Sequence, residues 1–255
     1  MHHDDFGGLD RDLKATIGRR ELLRLSLGAG MLQLLGCASS GLEPLINGQC
    51  SRIPEETAGP YPGDGSNGPN VLTLNGVVRS DIRSSFGGLS GTAAGIPLTV
   101  TLTVVSAGGC DPMPGAAVYL WHCDRAGLYS LYSAGATTQN YLRGVQAADA
   151  DGKVTFTSIF PGCYAGRWPH IHFEVYESLA AAQSVGNKIA TSQLALPEAA
   201  CSAVYGTTGY GTSATNLQGV SLASDGIFSD GASLQLASVS GDVAAGMAAA
   251  LTISV

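Results

Sequence analysis

The chain has 255 residues and a formal net charge of −7, and only 13% of its residues are charged while 45% are hydrophobic. Disordered chains combine low hydrophobicity with high charge, so the bulk of this chain is expected to fold around a core. It carries no basic run and no interleaving of basic and aromatic residues, which argues against a nucleic-acid-binding surface. This length permits one large β domain or two small ones.

The first 40 residues differ in character from the rest. Arg19 and Arg20 precede an interrupted apolar run, 22–35, that is too short for a comfortable membrane span. A charged stretch followed by an apolar one is typical of an export signal, and the paired arginines favour the twin-arginine route. The segment ends in Leu-Leu-Gly-Cys37, which resembles a lipoprotein box and would attach the protein to a membrane through a lipidated Cys37. The alternative is an amphipathic helix that is retained.

We therefore expect a signal at 1–37, an extended lead-in rich in Gly and Pro at 38–70, and one domain at 71–255. Export would place the protein in the periplasm or outside the cell, where disulfides persist. An odd number of cysteines follows Cys37, so at least one thiol is unpaired within the chain; these are Cys50, Cys110, Cys123, Cys163 and Cys201. Neither their pairing nor the oligomeric state can be read from the sequence.

Short β-branched or alternating runs separated by turn residues follow the lead-in. Their number and spacing predict an all-β fold, a single β-sandwich of about eight or nine strands. The runs are 71–78, 97–105, 116–123, 153–159, 170–176, 188–196, 233–238 and 250–255. Short helices are expected near 177–183 and 197–204. The long connection between Tyr129 and Ala147 is a candidate for a functional loop.

His170 and His172 lie in the run HIHFEVY, and residues i and i+2 of a strand share one face. The two imidazoles could therefore bind one metal ion, or they could simply be hydrogen-bonded on a half-exposed strand. A zinc site with three histidines would need His122. A ferrous site with two histidines and a carboxylate would need Asp124 or Glu174, neither of which has decisive spacing.

Tyrosine is the remaining choice of ligand. A phenolate is a hard, anionic oxygen donor, and it suits a ferric ion better than zinc. Tyr164 follows the Pro161-Gly162 turn six residues before His170, and Tyr129 follows the strand that ends at Cys123. Because the chain has nine tyrosines, spacing alone does not select this pair.

Three stretches together resemble the intradiol ring-cleavage dioxygenases, the family of protocatechuate 3,4-dioxygenase and catechol 1,2-dioxygenase. They are IPEETAGPY (53–61), WHCDRAGLYS (121–130) and YLRGVQAADADGKVTFTSIFPGCYAGRWPHIHFEVY (141–176). The resemblance runs from about residue 53 to the C-terminus and is strongest over 116–176. It is closest to a subgroup of exported dioxygenase-like proteins.

The resemblance implies a non-haem Fe(III) ion held by two tyrosines and two histidines, which fall on Tyr129, Tyr164, His170 and His172. It implies an active-site arginine at Arg167 and a glutamine lining the substrate pocket at Gln193. It also implies a segment that approaches the substrate, at Gly59, Pro60 and Tyr61.

The activity implied is cleavage of a catechol-type aromatic diol by O2, between the two hydroxylated carbons, to a muconate-type product that keeps both oxygen atoms. The alternative is a dioxygenase-like sandwich that binds ligands without turnover. Two features depart from the family: the link from Tyr164 to His170 is shorter than in the protocatechuate enzymes, and Cys123 and Cys163 lie beside the proposed ligands. A bridge between these two cysteines could brace the site.

Overall fold

The computed structural model describes residues 50–255. The predicted signal, the lipidation site at Cys37 and the first part of the lead-in lie outside the described residues. Between residues 50 and 255, no helix has the length and hydrophobicity needed to cross a bilayer.

The described chain forms two four-stranded sheets that pack as a β-sandwich, which confirms the predicted all-β class. The first sheet has the order β4-β1-β8-β7 and the second has the order β3-β2-β5-β6. The strands are β1 (Pro97–Val105), β2 (Ala117–Trp121), β3 (Arg143–Ala147), β4 (Lys153–Ile159), β5 (His170–Tyr176), β6 (Lys188–Ala195), β7 (Ser238–Asp242) and β8 (Gly246–Ser254). The helices are α1 (Glu198–Tyr205), α2 (Ser213–Gln218) and short 3-10 turns at Ala181–Gln183, Val185–Asn187 and Phe228–Asp230.

The main core lies between the two sheets. Alternation along β1 turns Leu98, Val100 and Leu102 inward, and all three are buried. They belong to one apolar cluster with Leu120 of β2 and Phe173 of β5. Burying each such side chain contributes about 1.5–3 kcal/mol, so this layer holds the two sheets together.

The strands of the second sheet have a second buried face. Every residue of β2 and β5 is buried, although alternation sends half of their side chains away from the core between the sheets. A second apolar cluster covers this outer face, and it includes Val71 and Leu72 after the lead-in, Tyr119 and Trp121 of β2, and Tyr129 of the long loop. The lead-in and the loop thus close over the sheet and enclose the site.

The structure differs from the sequence-based elements in several places. Residues 71–78 form turns rather than a strand, with a single bridge from Val78 to Val145. The predicted run 233–238 is mostly a turn, and β7 begins only at Ser238. The predicted loop 129–147 ends in strand β3. Of the two predicted helices, 197–204 matches α1, whereas 177–183 contains only the 3-10 turn Ala181–Gln183.

One disulfide joins Cys50 at the start of the described lead-in to Cys110 in the loop after β1. Cys123, Cys163 and Cys201 are buried free thiols. The idea of a bridge between Cys123 and Cys163 is therefore wrong, and the loops beside the site are held together by hydrogen bonds instead.

Candidate metal centre

His172 lies in the middle of a row of side chains that crosses the second sheet. Its register partners are Trp121 on β2 and Gln193 on β6. The Trp121 ring stacks on the His172 ring at 4.9 Å between centroids and 5° between planes. His170, two residues earlier on β5, shares this face. The sheet register therefore fixes both imidazoles on the covered outer face.

Tyr129 is brought to this face by a tight loop directly after β2. Asp124 organises the loop, because its Oδ1 accepts the backbone N–H groups of Ala126 and Leu128 at 2.8 and 3.0 Å. Gly127 has a φ of +82°, which favours glycine, and a Cβ at this position would lie 3.1 Å from Tyr164 Cβ. The glycine of the G-x-Y motif thus permits the two tyrosine-bearing loops to touch.

Tyr164 arrives from the opposite direction, after β4. The backbone N–H of Gly162 donates to Asp124 O at 3.0 Å. A Cβ on Gly162 would lie 2.6 Å from Arg125 O, so only glycine fits this close approach. The glycine of the PG-x-Y motif therefore fixes the second tyrosine-bearing loop onto the first.

Four potential donor atoms converge on one point. The Nε2 atom of His170 lies 3.3 Å from Tyr129 Oη, 3.2 Å from Tyr164 Oη and 3.1 Å from His172 Nε2. Ligands about 2.0–2.1 Å from a shared ion lie roughly 3 Å from one another. The observed separations are those expected of a shared coordination sphere.

A hydrogen bond fixes the tautomer of His170, and burial keeps both histidines uncharged. The Nδ1–H of His170 donates to Trp168 O at 2.5 Å, which leaves the lone pair on Nε2. Burial lowers the pKa of His170 to about 3, with a further contribution from the charge of Arg167. Burial and the neighbouring His170 also hold the pKa of His172 well below its usual value. Both rings are therefore neutral near pH 7.

Tyr129 shows the complementary behaviour. Its side chain is 1% exposed, and burial raises the pKa of its hydroxyl well above the usual value. A bound cation reverses this balance, because it favours the anionic form of a ligand. Tyr129 would thus become a phenolate only together with an ion.

This donor set fits a ferric ion. Two phenols and two neutral imidazoles supply hard oxygen and intermediate nitrogen donors, a combination that suits Fe(III) better than the softer metals. Within residues 50–255, no group of three or more His, Cys, Asp or Glu side chains could hold a metal. A metal at this place would therefore depend on Tyr129 and Tyr164.

Arg167 is buried beside the cluster, with 1% of its surface exposed. Its Nε donates to Asp225 Oδ2 at 3.0 Å and its Nη2 donates to Gln193 Oε1 at 2.6 Å. Gln193 in turn donates from Nε2 to Thr57 O at 3.0 Å. The predicted arginine and glutamine are thus in direct contact, and the lead-in supports the glutamine.

Asp225 fixes the other side of this arginine. Its Oδ2 also accepts the backbone N–H of Trp168 at 2.7 Å, and its Oδ1 accepts those of Ile227 and Phe228. Burial alone would raise the pKa of Asp225, but the charge of Arg167 and these N–H groups hold it below the usual value. Asp225 therefore remains ionised and keeps Arg167 in place.

The predicted GPY segment lies against the cluster through its tyrosine. The ring centroid of Tyr61 is 5.0 Å from that of Tyr129 and 5.3 Å from that of Tyr132. Gly59 and Pro60 make their recorded hydrogen bonds inside the lead-in, from Gly59 N to Thr57 Oγ1 and from the Asn67 side chain to Pro60 O. Of the three residues, Tyr61 is the one that packs on a candidate ligand.

The other metal hypotheses do not match the geometry. Both ring nitrogens of His122 are hydrogen-bonded, to Cys123 O at 2.8 Å and to Ser158 Oγ at 2.7 Å. Glu174 binds Tyr176 and Lys188 through its two oxygens. Asp124 uses its carboxylate on its own loop and on Tyr141. Each of these three side chains is thus already bound to partners other than the histidine pair.

Sequence reasoning missed two residues of this site, Trp121 and Asp225. Trp121 could have been found, because it precedes His122 at the end of an evident strand and register could place it beside His172. Asp225 lies 58 residues from its partner Arg167, a separation that no local pattern reveals.

Comparisons with known proteins find similar dioxygenases. The dioxygenase family model matches residues 80–185, a range that contains Tyr129, Tyr164, Arg167, His170 and His172. The chain is similar to the crystal structure of an intradiol ring-cleavage dioxygenase from Tetranychus urticae, with 25% identity, a TM-score of 0.62, and coverage of 80% of this chain and 94% of that one.

Two further structures are similar. One is a second dioxygenase, with 26% identity, a TM-score of 0.60, and coverage of 81% of this chain and 94% of that one. The other is catechol 1,2-dioxygenase from Pseudomonas arvilla C-1, with 20% identity, a TM-score of 0.42, and coverage of 71% and 58%. No sequence among curated proteins matches this chain.

The fold is therefore that of an intradiol dioxygenase-like β-sandwich. The family model and the more similar structures confirm the sequence resemblance to the intradiol ring-cleavage dioxygenases.

Proposed function

We propose that this protein is a non-haem Fe(III) dioxygenase that opens catechol-type aromatic rings with O2 between the two hydroxylated carbons. The observation that carries the proposal is that Tyr129 Oη, Tyr164 Oη and His172 Nε2 each lie 3.1–3.3 Å from His170 Nε2. The match of residues 80–185 to the dioxygenase family supports it.

A ferric ion held by Tyr129, Tyr164, His170 and His172 would bind both oxygens of the diol and make the ring reactive toward O2. The two tyrosines differ in accessibility, since Tyr129 is 1% exposed and Tyr164 is half-buried. Tyr164 Oη is therefore the hydroxyl group that an entering diol reaches first. It is also the group best placed to take up a proton from that diol.

Arg167 would stabilise negative charge that develops on the substrate. Its guanidinium stays charged at all working pH values, and its orientation is set in advance by Asp225 and Gln193. A donor that does not need to reorganise during the reaction stabilises the transition state more effectively than water does. Tyr61, packed on Tyr129, would form an aromatic wall beside the substrate ring.

The experiment that tests this function is oxygen uptake by ferric-loaded protein with catechol, protocatechuate and hydroxyquinol, using 18O2. Turnover should give an acyclic product with two new carboxyl groups and two labelled oxygen atoms. If the protein takes up iron but consumes no oxygen across this panel, the function is wrong and a ligand-binding module is the better description.

We also propose that the protein is exported by the twin-arginine route. The disulfide between Cys50 and Cys110 supports this, because such bonds persist in oxidising compartments. The route carries folded proteins, so iron could be bound before export. Changing Arg19 and Arg20 to Lys should leave the protein in the cytoplasm, as measured by cell fractionation. Unchanged export would contradict the proposal.

A further inference from the structure

Arg143, the first residue of β3, is completely buried and has no part in the roles described above. An arginine has five N–H donors, and the structure supplies an acceptor for each. Nε donates to Ser130 Oγ at 3.0 Å; Nη1 donates to Pro62 O at 2.7 Å and Tyr119 Oη at 3.2 Å; Nη2 donates to Tyr61 O and Ser130 O, both at 2.9 Å. The guanidinium is thus fully used.

Four of the five acceptors belong to the two segments that cover the candidate centre, and the fifth, Tyr119 Oη, is on β2. Tyr61 and Pro62 are in the lead-in, and Ser130 directly follows Tyr129. The Tyr61 ring lies 5.0 Å from the Tyr129 ring. Arg143 therefore ties the backbone of the aromatic wall to the loop that carries a candidate ligand.

A salt bridge does not explain why this arginine is buried. In the part of the chain that the structure describes, no carboxylate lies within ion-pair distance of Arg143, and all its acceptors are neutral oxygens. Burying a charge costs several kcal/mol, and apolar side chains could fill such a place at lower cost. Only arginine has a rigid, planar set of donors that can hold several carbonyl groups in fixed positions.

We propose that Arg143 is a positioning residue of the site, which holds the Tyr61–Pro62 backbone against Ser130 and thereby fixes the Tyr61 ring as a wall beside Tyr129. Its effect on substrate binding rests on the proposed function. Its effect on the lead-in does not require iron or turnover.

The first test is hydrogen exchange on the metal-free protein. Lysine keeps the charge of Arg143 but has three N–H donors on one nitrogen in place of five on a planar fork, so it cannot bind all the acceptors in the lead-in and the Ser130 loop. Arg143→Lys should therefore speed amide exchange in the peptide covering 57–66 at least tenfold. Exchange at the wild-type rate would overturn the proposal.

Arg79→Lys is the matched control. Arg79 donates to the carbonyl of Arg143 itself and to those of Ile82 and Asn140, so it supports the same region. Its recorded hydrogen bonds reach neither Tyr61 nor Pro62. This variant should leave exchange in 57–66 unchanged; equal acceleration in both variants would show general loosening of the fold and would overturn the positioning role.

The second test is a double-mutant cycle on KM for catechol, with ferric-loaded protein. Arg143→Lys and Tyr61→Ala should each raise KM about tenfold with a smaller change in kcat, and the double variant should be no worse than Tyr61→Ala alone. Multiplicative effects would show that Arg143 does not act through Tyr61. If the wild type neither binds iron nor consumes oxygen, the proposed function fails, while the exchange result still decides the role of Arg143.

Discussion

In both sheets the side chains alternate between an inner and an outer face, but the outer face of the first sheet is largely exposed and that of the second sheet is buried. On the first sheet, β1 and β4 turn Thr99, Thr101, Thr103 and Thr155 outward, where they are exposed or half-buried. On the second sheet, Trp121, His172 and Gln193 lie in one cross-strand row and are buried under the lead-in and the 124–142 loop. The candidate site lies on the second sheet because the lead-in and the 124–142 loop cover that face, which excludes water and allows ionisable groups to be buried.

The largest effect is expected from removing His170, the central candidate ligand on the covered face. His170→Ala should abolish ferric binding and oxygen uptake, because His170 Nε2 contacts the other three donor atoms. Iron content after loading and desalting measures the effect. His122→Gln is the control. This variant should keep its iron, because both ring nitrogens of His122 are hydrogen-bonded to Cys123 O and Ser158 Oγ and not directed to a metal. Iron retained by His170→Ala and lost by His122→Gln would favour a different metal site.

Arg167 should have the next largest effect, on turnover rather than on metal binding. Arg167→Met should lower kcat/KM about 100-fold, the usual cost of removing a preorganised donor, while iron content stays unchanged. Steady-state oxygen uptake measures this. Arg167→Met also leaves Asp225 buried without its partner, so circular dichroism is used to confirm that the variant folds. If Arg167→Met does not fold, Arg167→Lys is measured in its place.

Arg83→Met is the matched control for Arg167, because the ion pair of Arg83 with Asp81 is exposed. It should leave kcat/KM within about twofold of wild type. Equal losses in the Arg83 and Arg167 variants would contradict a specific role for Arg167.

The disulfide should contribute stability without touching the site. Cys50 and Cys110 close a loop with a sequence separation of 60, which corresponds to about 4 kcal/mol of unfolding free energy in the chain-entropy model. Cys110→Ser should lower the denaturant midpoint accordingly and leave the visible spectrum unchanged. A reductant should lower the midpoint of the wild type but not that of Cys110→Ser. A spectral change would mean that the lead-in is coupled to the site more strongly than proposed.

The smallest effect is expected on the outer face of the first sheet. Thr101 pairs with Thr155 across β1 and β4, and their hydroxyls are 3.3 Å apart at an exposed position. Thr101→Val should change the unfolding free energy by no more than about 0.5 kcal/mol and leave kcat/KM as in the wild type. A large loss of activity would show that this face also serves the function.

The sequence predicted those parts of the fold and site that depend on local pattern. The alternation of β1 correctly predicted its buried and outward positions, and His170 and His172 share a face as strand geometry requires. The strand predicted at 71–78 was wrong. The β-branched composition of this run favours a strand, but Gly76, with a φ of +94°, turns the chain. Strand β3 was missed because its RGVQA run has a polar start and an interior glycine.

The parts of the site that the sequence did not predict depend on contacts between residues far apart in the chain. Tyr129 and Tyr164 were selected only through the family resemblance, since nine tyrosines were available. The contacts of Arg143 with Tyr61 and of Arg167 with Asp225 span 82 and 58 residues. Such contacts depend on how the lead-in and the C-terminal segment cross the sheet, and local propensity carries no information about that path.

The most direct test of the central claim is the visible absorption spectrum of ferric-loaded protein, recorded before and after anaerobic addition of catechol. The account predicts a burgundy protein with a broad phenolate-to-iron charge-transfer band that shifts when catechol binds, and a bleached or shifted band in Tyr164→Phe. A preparation that stays colourless after ferric loading would contradict it.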